Sequence, residues 1–391
     1  MGEVYVVEAL RTPFGAFGGK LADLEAPQLA ATVIRELMGK SAVDPGAVDE
    51  VIIGQVLSGG CGQAPARQAL RLAALSDSVH AMTINKVCGS GLKAIMLGAD
   101  SIMLGNSRVV IAGGMESMSM APYFLKKGRT GYRMGHGEIL DLMIWDGLQD
   151  PYSGRVMGEI GEASVTRHNL KRTDLDSYAL RSYTLAREAV QQGVFAEEII
   201  PVMRPGKSGE ERVETDEGPF RIDPEMIPRL RPVFAVDGSI TSGNASTIND
   251  GAALLLLCDA AVLKEFNLSP KARVVAAASE SRHPDFFPEA PVGAIRKVCA
   301  RAGLALDDID LFEINEAFAS VPLIAARLLQ LDLERINVNG GAVAIGHPIG
   351  ASGGRLAATI IRELRCRQLR YGLATLCIGG GEAVAMIFER I

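Results

Sequence analysis

The sequence lacks paired cysteines, an apolar run long enough to span a membrane, and a net positive charge, and each absence argues against one class of protein. Its six cysteines are scattered over 391 residues without a C-x-x-C pair, which excludes the usual zinc-binding and dithiol redox spacings and favours reduced thiols. The longest apolar run, residues 252–258, is too short to span a bilayer and predicts a buried strand. A net charge of −6 gives no general attraction to nucleic acid or acidic membranes, although it is compatible with a local basic patch.

The N-terminus also lacks the pattern of a targeting signal. Glu3 and alternating apolar residues stand where a signal peptide has basic residues followed by a long apolar run. Val6 occupies the position at which N-myristoylation requires serine or threonine. We therefore expect a soluble cytoplasmic protein that binds neither nucleic acid nor membranes.

Internal repetition indicates how the chain is divided, because a chain of this length is too long for one ordinary core. Three β-rich segments of the first half have partners in the same order in the second half, each about 265 residues further on. The pairs are residues 4–9 and 273–278, 48–53 and 309–314, and 108–114 and 373–380. The preserved order and spacing predict a duplicated unit, with chance similarity between buried strands as the alternative.

Helical patterns lie between these strands. Apolar residues recur every three or four positions directly after Cys88 and again over residues 353–364, which predicts an amphipathic helix at each place. A third helical pattern covers residues 173–192. The alternation of strands and helices predicts a layered α/β architecture with central sheets.

We expect three parts along the chain. An N-terminal core half over residues 1–120 is completed by residues 246–270, and a C-terminal core half covers residues 271–391. Between them, residues 121–245 contain no repeat and include a loop rich in proline, glycine and charge. Such a segment predicts an inserted loop or lid domain that contacts substrate, with a surface insertion of no function as the alternative.

Two cysteines and one histidine stand next to glycines, far apart in the chain. Cys88 is followed by Gly-Ser-Gly, Cys377 by Ile-Gly-Gly-Gly, and His347 lies between Gly346 and Pro348. Glycine lets backbone amides approach a ligand closely, and the thiolate is the nucleophilic form of cysteine. The pattern favours acyl transfer through a thioester. The alternative is that both cysteines are small buried hydrophobic residues in glycine turns.

Four segments resemble the signature blocks of the thiolases and occur in the family's order. They are NKVCGSG over residues 85–91, NEAFA over 315–319, GHP over 346–348 and CIGGG over 377–381. The resemblance extends from Arg11 to the C-terminus and is closest to the acetyl-CoA acetyltransferase branch. It implies a duplicated, five-layered α/β/α/β/α core with an inserted loop domain, assembled as a dimer or tetramer.

The resemblance implies roles for five residues. Cys88 would be the nucleophile that accepts the acyl group, with a pKa lowered by the helix that follows it. His347 would take the Cys88 proton, and Cys377 would remove a proton from the methyl group of a bound acetyl thioester. Asn315, through an ordered water, would hold the enolate oxygen together with His347. The amides of Cys88 and Gly379 would hold the tetrahedral oxyanion.

Coenzyme A would be a substrate, and the resemblance implies that no metal or nicotinamide cofactor is needed. The sequence contains no G-x-x-x-x-G-K-[ST] phosphate loop. The partners would be acyl-CoA, coenzyme A and further copies of the same chain. The residues expected to contact coenzyme A are Ser246, Arg221, Leu230, Met157 and Phe318.

Three positions depart from the family pattern near the expected substrate. Val156 stands where biosynthetic relatives usually carry histidine. Phe220 stands where relatives often place an arginine that contacts coenzyme A, and Arg221 follows one residue late. Phe287 begins the segment FPEAP, in place of Met-Gly-x-Gly-Pro. These changes would reshape the acyl pocket, so a broad-chain 3-ketoacyl-CoA thiolase of fatty-acid degradation is an alternative function.

Two further functions are compatible with the same fold. A decarboxylating ketoacyl synthase typically carries two histidines, or histidine and asparagine, so Cys377 argues against it. A non-catalytic thiolase-like carrier of acyl-CoA or lipid should lack at least one catalytic residue. All four expected side chains, those of Cys88, Asn315, His347 and Cys377, are present.

Overall fold

The computed structural model describes residues 2–206 and 209–391, which form strands and helices in alternation over much of the chain. The strands are β1 Val4–Arg11, β2 Gly15–Ala16, β3 Glu50–Gly54, β4 His80–Ile84, β5 Val109–Ser117, β6 Tyr123–Phe124, β7 Leu140–Asp141, β8 Val202–Gly206, β9 Gly209–Val213, β10 Asn249–Asp259, β11 Ala272–Ser281, β12 Leu311–Ile314, β13 Tyr371–Ile378 and β14 Glu382–Arg390. The α-helices are α1 Ala26–Lys40, α2 Pro65–Leu72, α3 Ser90–Met103, α4 Met157–Arg167, α5 Arg172–Gln191, α6 Ala260–Glu265, α7 Ala290–Ala302, α8 Ser320–Leu329, α9 Ala342–Ile345 and α10 Ser352–Cys366. The helices predicted after Cys88, over residues 173–192 and over residues 353–364 are therefore α3, α5 and α10.

Two groups of strands repeat one arrangement. In the first group β1 is antiparallel to β10, β10 is antiparallel to β5, and β5 is parallel to β3, which β4 follows. In the second group β11 is antiparallel to β14, β14 is antiparallel to β13, and β13 is parallel to β12. The three predicted segment pairs lie in β1 and β11, β3 and β12, and β5 and β13. They occupy equivalent positions in the two groups, which confirms the duplicated fold.

The two groups form one continuous sheet that is joined at β1 and β11. Two residue pairs make the junction, Tyr5 with Arg273 and Val6 with Ala272. Over the described parts of the chain, the order of the sheet is β12-β13-β14-β11-β1-β10-β5-β3-β4, with the short β2 beside β10. The predicted buried strand over residues 252–258 is the middle of β10, and it lies between β1 and β5.

Helices pack on both faces of each strand group and produce the five layers. Helices α1 and α2 cover the outer face of the first group, α3 and α10 lie between the groups, and α7 and α8 cover the outer face of the second. Strand β10 shows why both faces are apolar. Leu254 and Leu256 pack in the outer core, and Leu255 and Leu257 pack in the central core, because successive side chains of a strand point to opposite faces.

The chain between β5 and β10 contains two short hairpins, β6–β7 and β8–β9, together with α4 and α5. A buried ion-pair network anchors part of this region to β1. The guanidinium of Arg11 lies 2.7 Å from Glu198 and donates to both carboxylate oxygens of Asp216 at 2.7 and 2.9 Å. All three side chains are almost fully buried. The assignment of residues 121–245 as an inserted domain stays a prediction.

Candidate active site

Cys88, His347 and Cys377 line one cavity, although they lie far apart in the chain. Cys88 precedes α3 by two residues, His347 lies in the loop between α9 and α10, and Cys377 is near the end of β13. The cavity has a volume of about 300 Å³ and a mostly apolar wall. One thiol thus comes from the first half of the chain, and the imidazole and the other thiol come from the second half.

The loop before Cys88 is held in an unusual conformation. Val87 has a φ of 46°, in the left-handed region that β-branched residues rarely adopt. Its amide donates to Asn85 Oδ1 at 2.8 Å. Ser90 Oγ accepts from the Lys86 amide at 2.8 Å and donates to the Val87 carbonyl at 2.6 Å. Strain of about 1–3 kcal/mol persists only where surrounding contacts over-determine the backbone, so this loop fixes the position of Cys88.

The Cys88 thiol is protonated at neutral pH in the free protein. Burial raises its pKa to about 11, and the N–H groups of Gly379 and of Cys88 itself lower it only in part. The carboxylate of Glu116 adds to the increase. The expectation that the helix N-terminus lowers this pKa is wrong for the free protein, because the loss of solvent around the thiolate outweighs the helix. A neighbouring base must therefore accept the proton before Cys88 reacts.

His347 is in the tautomer that can accept a proton at Nε2. Its Nδ1 atom lies 2.5 Å from Ser352 Oγ, and that hydroxyl donates its single proton to the Pro348 carbonyl at 2.9 Å. Ser352 can therefore only accept from His347, which places the imidazole hydrogen on Nδ1 and leaves a lone pair on Nε2. Burial, followed by the positive charge of Arg355, lowers the pKa of His347 to about 3, so the ring is neutral.

The backbone of His347 is held by the first strand group, through Asn249 at the start of β10. Its amide donates to Asn249 Oδ1 at 3.0 Å, and Asn249 Nδ2 donates to the Gly15 carbonyl at 2.9 Å. Gly346 has a φ of 112°, and a Cβ atom there would lie 2.4 Å from the Asn249 amide group. The glycine before His347 is therefore required both by its backbone angle and by the close approach of Asn249.

Asn315 lies against the imidazole rather than on the cavity wall. Its Nδ2 atom is 3.3 Å from His347 Nε2, and its Oδ1 atom is buried without a hydrogen-bond partner among the described residues. The next residue, Glu316, accepts from four donors. These are the hydroxyls of Tyr178 and Ser182, the Asn337 side-chain amide and the Val343 backbone amide, at 2.8 to 3.0 Å. Glu316 therefore fixes the segment that carries Asn315 by joining it to α5 and α9.

Cys377 is buried beside Cys88, at the start of a glycine turn. Burial, followed by the charge of Cys88, raises the pKa of its thiol well above the usual value. Gly379 lies on the cavity wall, and its amide approaches the Cys88 sulfur. A Cβ atom on Gly379 would lie 3.2 Å from Met157 Sδ, inside the cavity. The glycine thus leaves its amide accessible to a bound group.

Glu116 connects the loop after β3 to the loop that carries His347, and no role was predicted for it. Its carboxylate accepts from the amides of Val56 and Leu57 at 3.0 and 3.1 Å, and from the Gly350 amide at 2.9 Å. Burial raises the pKa of Glu116 to about 7. The backbone of β5 also lies close to the loop that contains Gly350, since a Cβ atom on Gly114 would lie 1.9 Å from the Gly350 carbonyl oxygen.

Family models cover nearly all of the chain. The N-terminal domain model of the thiolases matches residues 4–261, and the C-terminal domain model matches residues 268–390. The chain belongs to the thiolase family. Over the whole length of both proteins, this thiolase is 47% identical to the acetyl-CoA acetyltransferase of Pseudomonas aeruginosa and 44% identical to a probable acetyl-CoA acyltransferase of Staphylococcus aureus.

A solved structure of the family has the same fold. The crystal structure of the Bacillus anthracis acetyl-CoA acetyltransferase matches this thiolase with a TM-score of 0.98 at 42% identity. The match covers 100% of this chain and 99% of the other. The predicted family and the predicted five-layered fold class are therefore confirmed.

Of the five residues of the thiolase expected to contact coenzyme A, three line the catalytic cavity and two lie outside it. Ser246, Met157 and Phe318 line the catalytic cavity. Arg221 instead lies in a separate open groove, and Leu230 is half-buried outside the cavity wall, where its carbonyl accepts from Arg172 at 2.8 Å. A role for Arg221 and Leu230 therefore requires that coenzyme A extends beyond the cavity.

Two of the three departures from the family pattern lie on the cavity wall of the thiolase. Val156 and Phe287 both line it, and Phe287 packs against Phe318 with a ring-centroid distance of 6.4 Å. Phe220 lies in the same open groove as Arg221 and is 51% exposed. Val156 thus adds an apolar side chain to a mostly apolar cavity wall.

Three positioning residues of the thiolase were not predicted. Ser352 had a usable signal, because it begins α10 only five residues after His347. Asn249 and Glu116 had no such signal, since they are far from His347 in the sequence and act through backbone amides.

Among the described residues, no group of three or more acidic, histidine or cysteine side chains has an arrangement suited to a metal ion. No helix of that part of the chain is long and apolar enough to cross a bilayer.

Proposed function

We propose that this thiolase is an acetyl-CoA acetyltransferase, which converts two molecules of acetyl-CoA into acetoacetyl-CoA and coenzyme A and also catalyses the reverse thiolysis. The observation that carries the proposal is the meeting of two thiols and one neutral imidazole in a single apolar cavity. Relatives that share the whole length of the chain are named acetyl-CoA acetyltransferases.

The first step is the transfer of an acetyl group to Cys88. His347 Nε2 accepts the thiol proton as the sulfur attacks the thioester carbonyl, and this proton then passes to the departing coenzyme A thiolate. The carbon–sulfur bond to Cys88 forms, and the one to coenzyme A breaks. The amides of Cys88 and Gly379 point at the Cys88 sulfur, where they can hold the negative charge of the tetrahedral intermediate.

The second step forms the carbon–carbon bond. The Cys377 thiol first passes its proton to His347 Nε2, and the resulting thiolate removes a proton from the methyl group of a second acetyl-CoA. Asn315 lies beside His347, and the enolate oxygen is held by Asn315 through an ordered water and by the protonated Nε2 of His347. The enolate carbon then attacks the acetyl carbonyl on Cys88, the bond to the Cys88 sulfur breaks, and the Cys88 thiolate takes the proton from His347 Nε2. In thiolysis, Cys377 returns its proton to the enolate of acetyl-CoA.

Coenzyme A acts in this scheme as a substrate, and neither step requires a metal or a nicotinamide. Its pantetheine arm would enter beside Ser246, and basic residues of the segment 121–245 would meet its phosphates.

We place the enzyme in the cytoplasm, as expected for reactive reduced thiols. Fractionation of cells that express the tagged chain tests this location.

We also infer that the enzyme is a homo-oligomer. Strand β4 ends the sheet, and its outer edge has no strand partner among the described residues. Met82 on this strand is 41% exposed, and an open apolar edge favours pairing with a second chain. The β6–β7 region exposes Tyr123 and Ile139, which offers a second contact for a tetramer. Light scattering after gel filtration measures the assembly, and a monomeric mass would contradict it.

The deciding experiment measures initial rates of thiolysis with coenzyme A and a panel of 3-ketoacyl-CoA thioesters from four carbons upward. A sharp preference for acetoacetyl-CoA supports the acetyltransferase. Equal or higher rates on longer chains identify a broad-chain thiolase, as the apolar residue Val156 would allow. The control variant is Cys88→Ala. Full turnover in that variant would contradict the covalent step through Cys88, and no activity of the wild-type enzyme on any thioester would favour the non-catalytic carrier.

A further inference from the structure

An ion pair joins the loop of one catalytic thiol to the hairpin of the other. Lys86 Nζ lies 2.5 Å from Glu382 Oε2. Lys86 is two residues before Cys88, and Glu382 is the first residue of β14, directly after the glycine turn that follows Cys377. The pair therefore connects the first half of the chain to the second within a few residues of both thiols.

The two ends of this ion pair are attached to well-fixed backbone. On one side, the Lys86 amide donates to Ser90 Oγ, within the strained loop around Val87. On the other side, Glu382 pairs with Ile378 across the glycine turn, and its second carboxylate oxygen accepts from Ser281 Oγ at 3.0 Å. Burial alone raises the pKa of Glu382, but hydrogen bonds from Lys86 and Ser281 lower it below its usual value, so the carboxylate is charged.

Apart from the ion pair and the Gly379 amide that approaches the Cys88 sulfur, the loop and the hairpin meet through apolar packing. A Cβ atom on Gly89 would lie 2.3 Å from Ile378 Cδ1 and 3.2 Å from Val384 Cγ2, so the loop packs tightly on both strands. Apolar packing holds the two surfaces together but has little directional preference. A charge-assisted hydrogen bond does have a preferred geometry. The Lys86–Glu382 pair therefore determines where the Cys88 loop sits along the Cys377 hairpin.

We propose that Lys86 and Glu382 are positioning residues that set the separation of the Cys88 and Cys377 sulfur atoms for carbon–carbon bond formation. The proposal rests on the proposed function, because it assigns a step to each thiol. Acetyl transfer to Cys88 needs the Cys88 loop and His347, whereas condensation also needs Cys377 at the correct distance. Loss of the ion pair should therefore affect condensation more than acetyl transfer.

Two assays on the full-length enzyme separate these steps. Exchange of labelled coenzyme A into acetyl-CoA reports acetyl transfer, and formation of acetoacetyl-CoA reports condensation. We expect Lys86→Met and Glu382→Gln each to lower the ratio of condensation to exchange by about threefold to tenfold, without a change in melting temperature. The double variant Lys86→Glu with Glu382→Lys restores the opposite charges and should recover most of the ratio.

The matched control is a neighbouring ion pair that joins two elements of the second half of the chain and so does not link the Cys88 loop to the Cys377 hairpin. Glu280 precedes Ser281 in β11 and pairs with Lys297 of α7. Lys297→Met should leave the ratio unchanged. An unchanged ratio in Lys86→Met, or an equal fall of both rates, would overturn the positioning role. Full turnover of Cys88→Ala would instead reject the proposed function, so the two failures are distinguishable.

Discussion

Ser352 Oγ and His347 Nδ1 are separated by 2.5 Å, and both belong to the short segment that joins α9 to the first turn of α10. Because the Ser352 hydroxyl also donates to the Pro348 carbonyl, this single contact selects the tautomer of the imidazole. A serine hydroxyl here has the orienting function that carboxylates often have beside catalytic histidines. It adds no negative charge to a cavity in which thiolates must form.

Replacement of Ser352 by alanine should impair catalysis while the fold is retained. The Nδ1 hydrogen of His347 would lose its buried acceptor, at a cost of about 1–3 kcal/mol, and the preference for one tautomer would weaken. We expect kcat/KM for thiolysis of acetoacetyl-CoA to fall by about tenfold to a hundredfold. Steady-state kinetics measures the change. Ser320→Ala is the control, because the buried Ser320 hydroxyl has no hydrogen-bond partner among the described residues.

The Cys377→Ala variant should separate the two halves of the reaction. Acetyl transfer to Cys88 continues, because the nucleophile and His347 are intact, whereas condensation collapses by at least about a hundredfold for lack of the base. Mass spectrometry after mixing with acetyl-CoA detects the acetylated enzyme, and a coupled assay follows acetoacetyl-CoA. Condensation at the wild-type rate would exclude Cys377 as the proton carrier.

The alkylation rate of Cys88 should rise steadily with pH. Its pKa of about 11 leaves a small thiolate fraction at neutral pH, and this fraction grows about tenfold for each pH unit below the pKa. Iodoacetamide modification of the Cys88 peptide, quantified by mass spectrometry between pH 7 and 9, tests the sign. A rate already constant at pH 7 would mean that a thiolate–imidazolium pair exists in the free enzyme. The exposed Cys366 provides an internal reference within the same digest.

Removal of the buried guanidinium of Arg11 should destabilise the enzyme strongly. Arg11→Met leaves the carboxylates of Glu198 and Asp216 buried without their cation, which costs about 3–5 kcal/mol. Urea unfolding monitored by circular dichroism measures the loss. Arg212→Met removes an exposed pair with Glu214 from the same region and should change the free energy of unfolding by less than about 1 kcal/mol. Similar effects of the two variants would contradict the role of burial.

The repeated strands and the residues of the cavity could be predicted because each depends on a local pattern. The apolar runs around β1, β5 and β10 reveal buried strands, and glycines mark the turns beside Cys88 and Cys377. The duplication could be predicted for the same reason, because equivalent strands keep their order and spacing in the sequence. The catalytic roles of the cavity residues were implied by the resemblance to the thiolases, and they stay predictions.

The charge state of the cavity could not be predicted, because it depends on burial. The helix after Cys88 suggested a lowered pKa, yet desolvation in the folded enzyme raises it. The carboxylate of Glu116 and the side chain of Asn249 likewise act across long sequence separations, through amides that the sequence does not distinguish. Arg221 and Leu230 were placed near coenzyme A by resemblance alone, and they lie outside the cavity wall.

The junction of the two strand groups has a consequence for how the enzyme can be divided. Two residue pairs between β1 and β11 connect the groups, and the chain crosses from one to the other between Asp259 and Ala272. A cut in that crossover separates Cys88 from Cys377 and leaves each fragment with half of the chemistry. Product formation from a mixture of the fragments would therefore serve as a direct signal that they have reassembled.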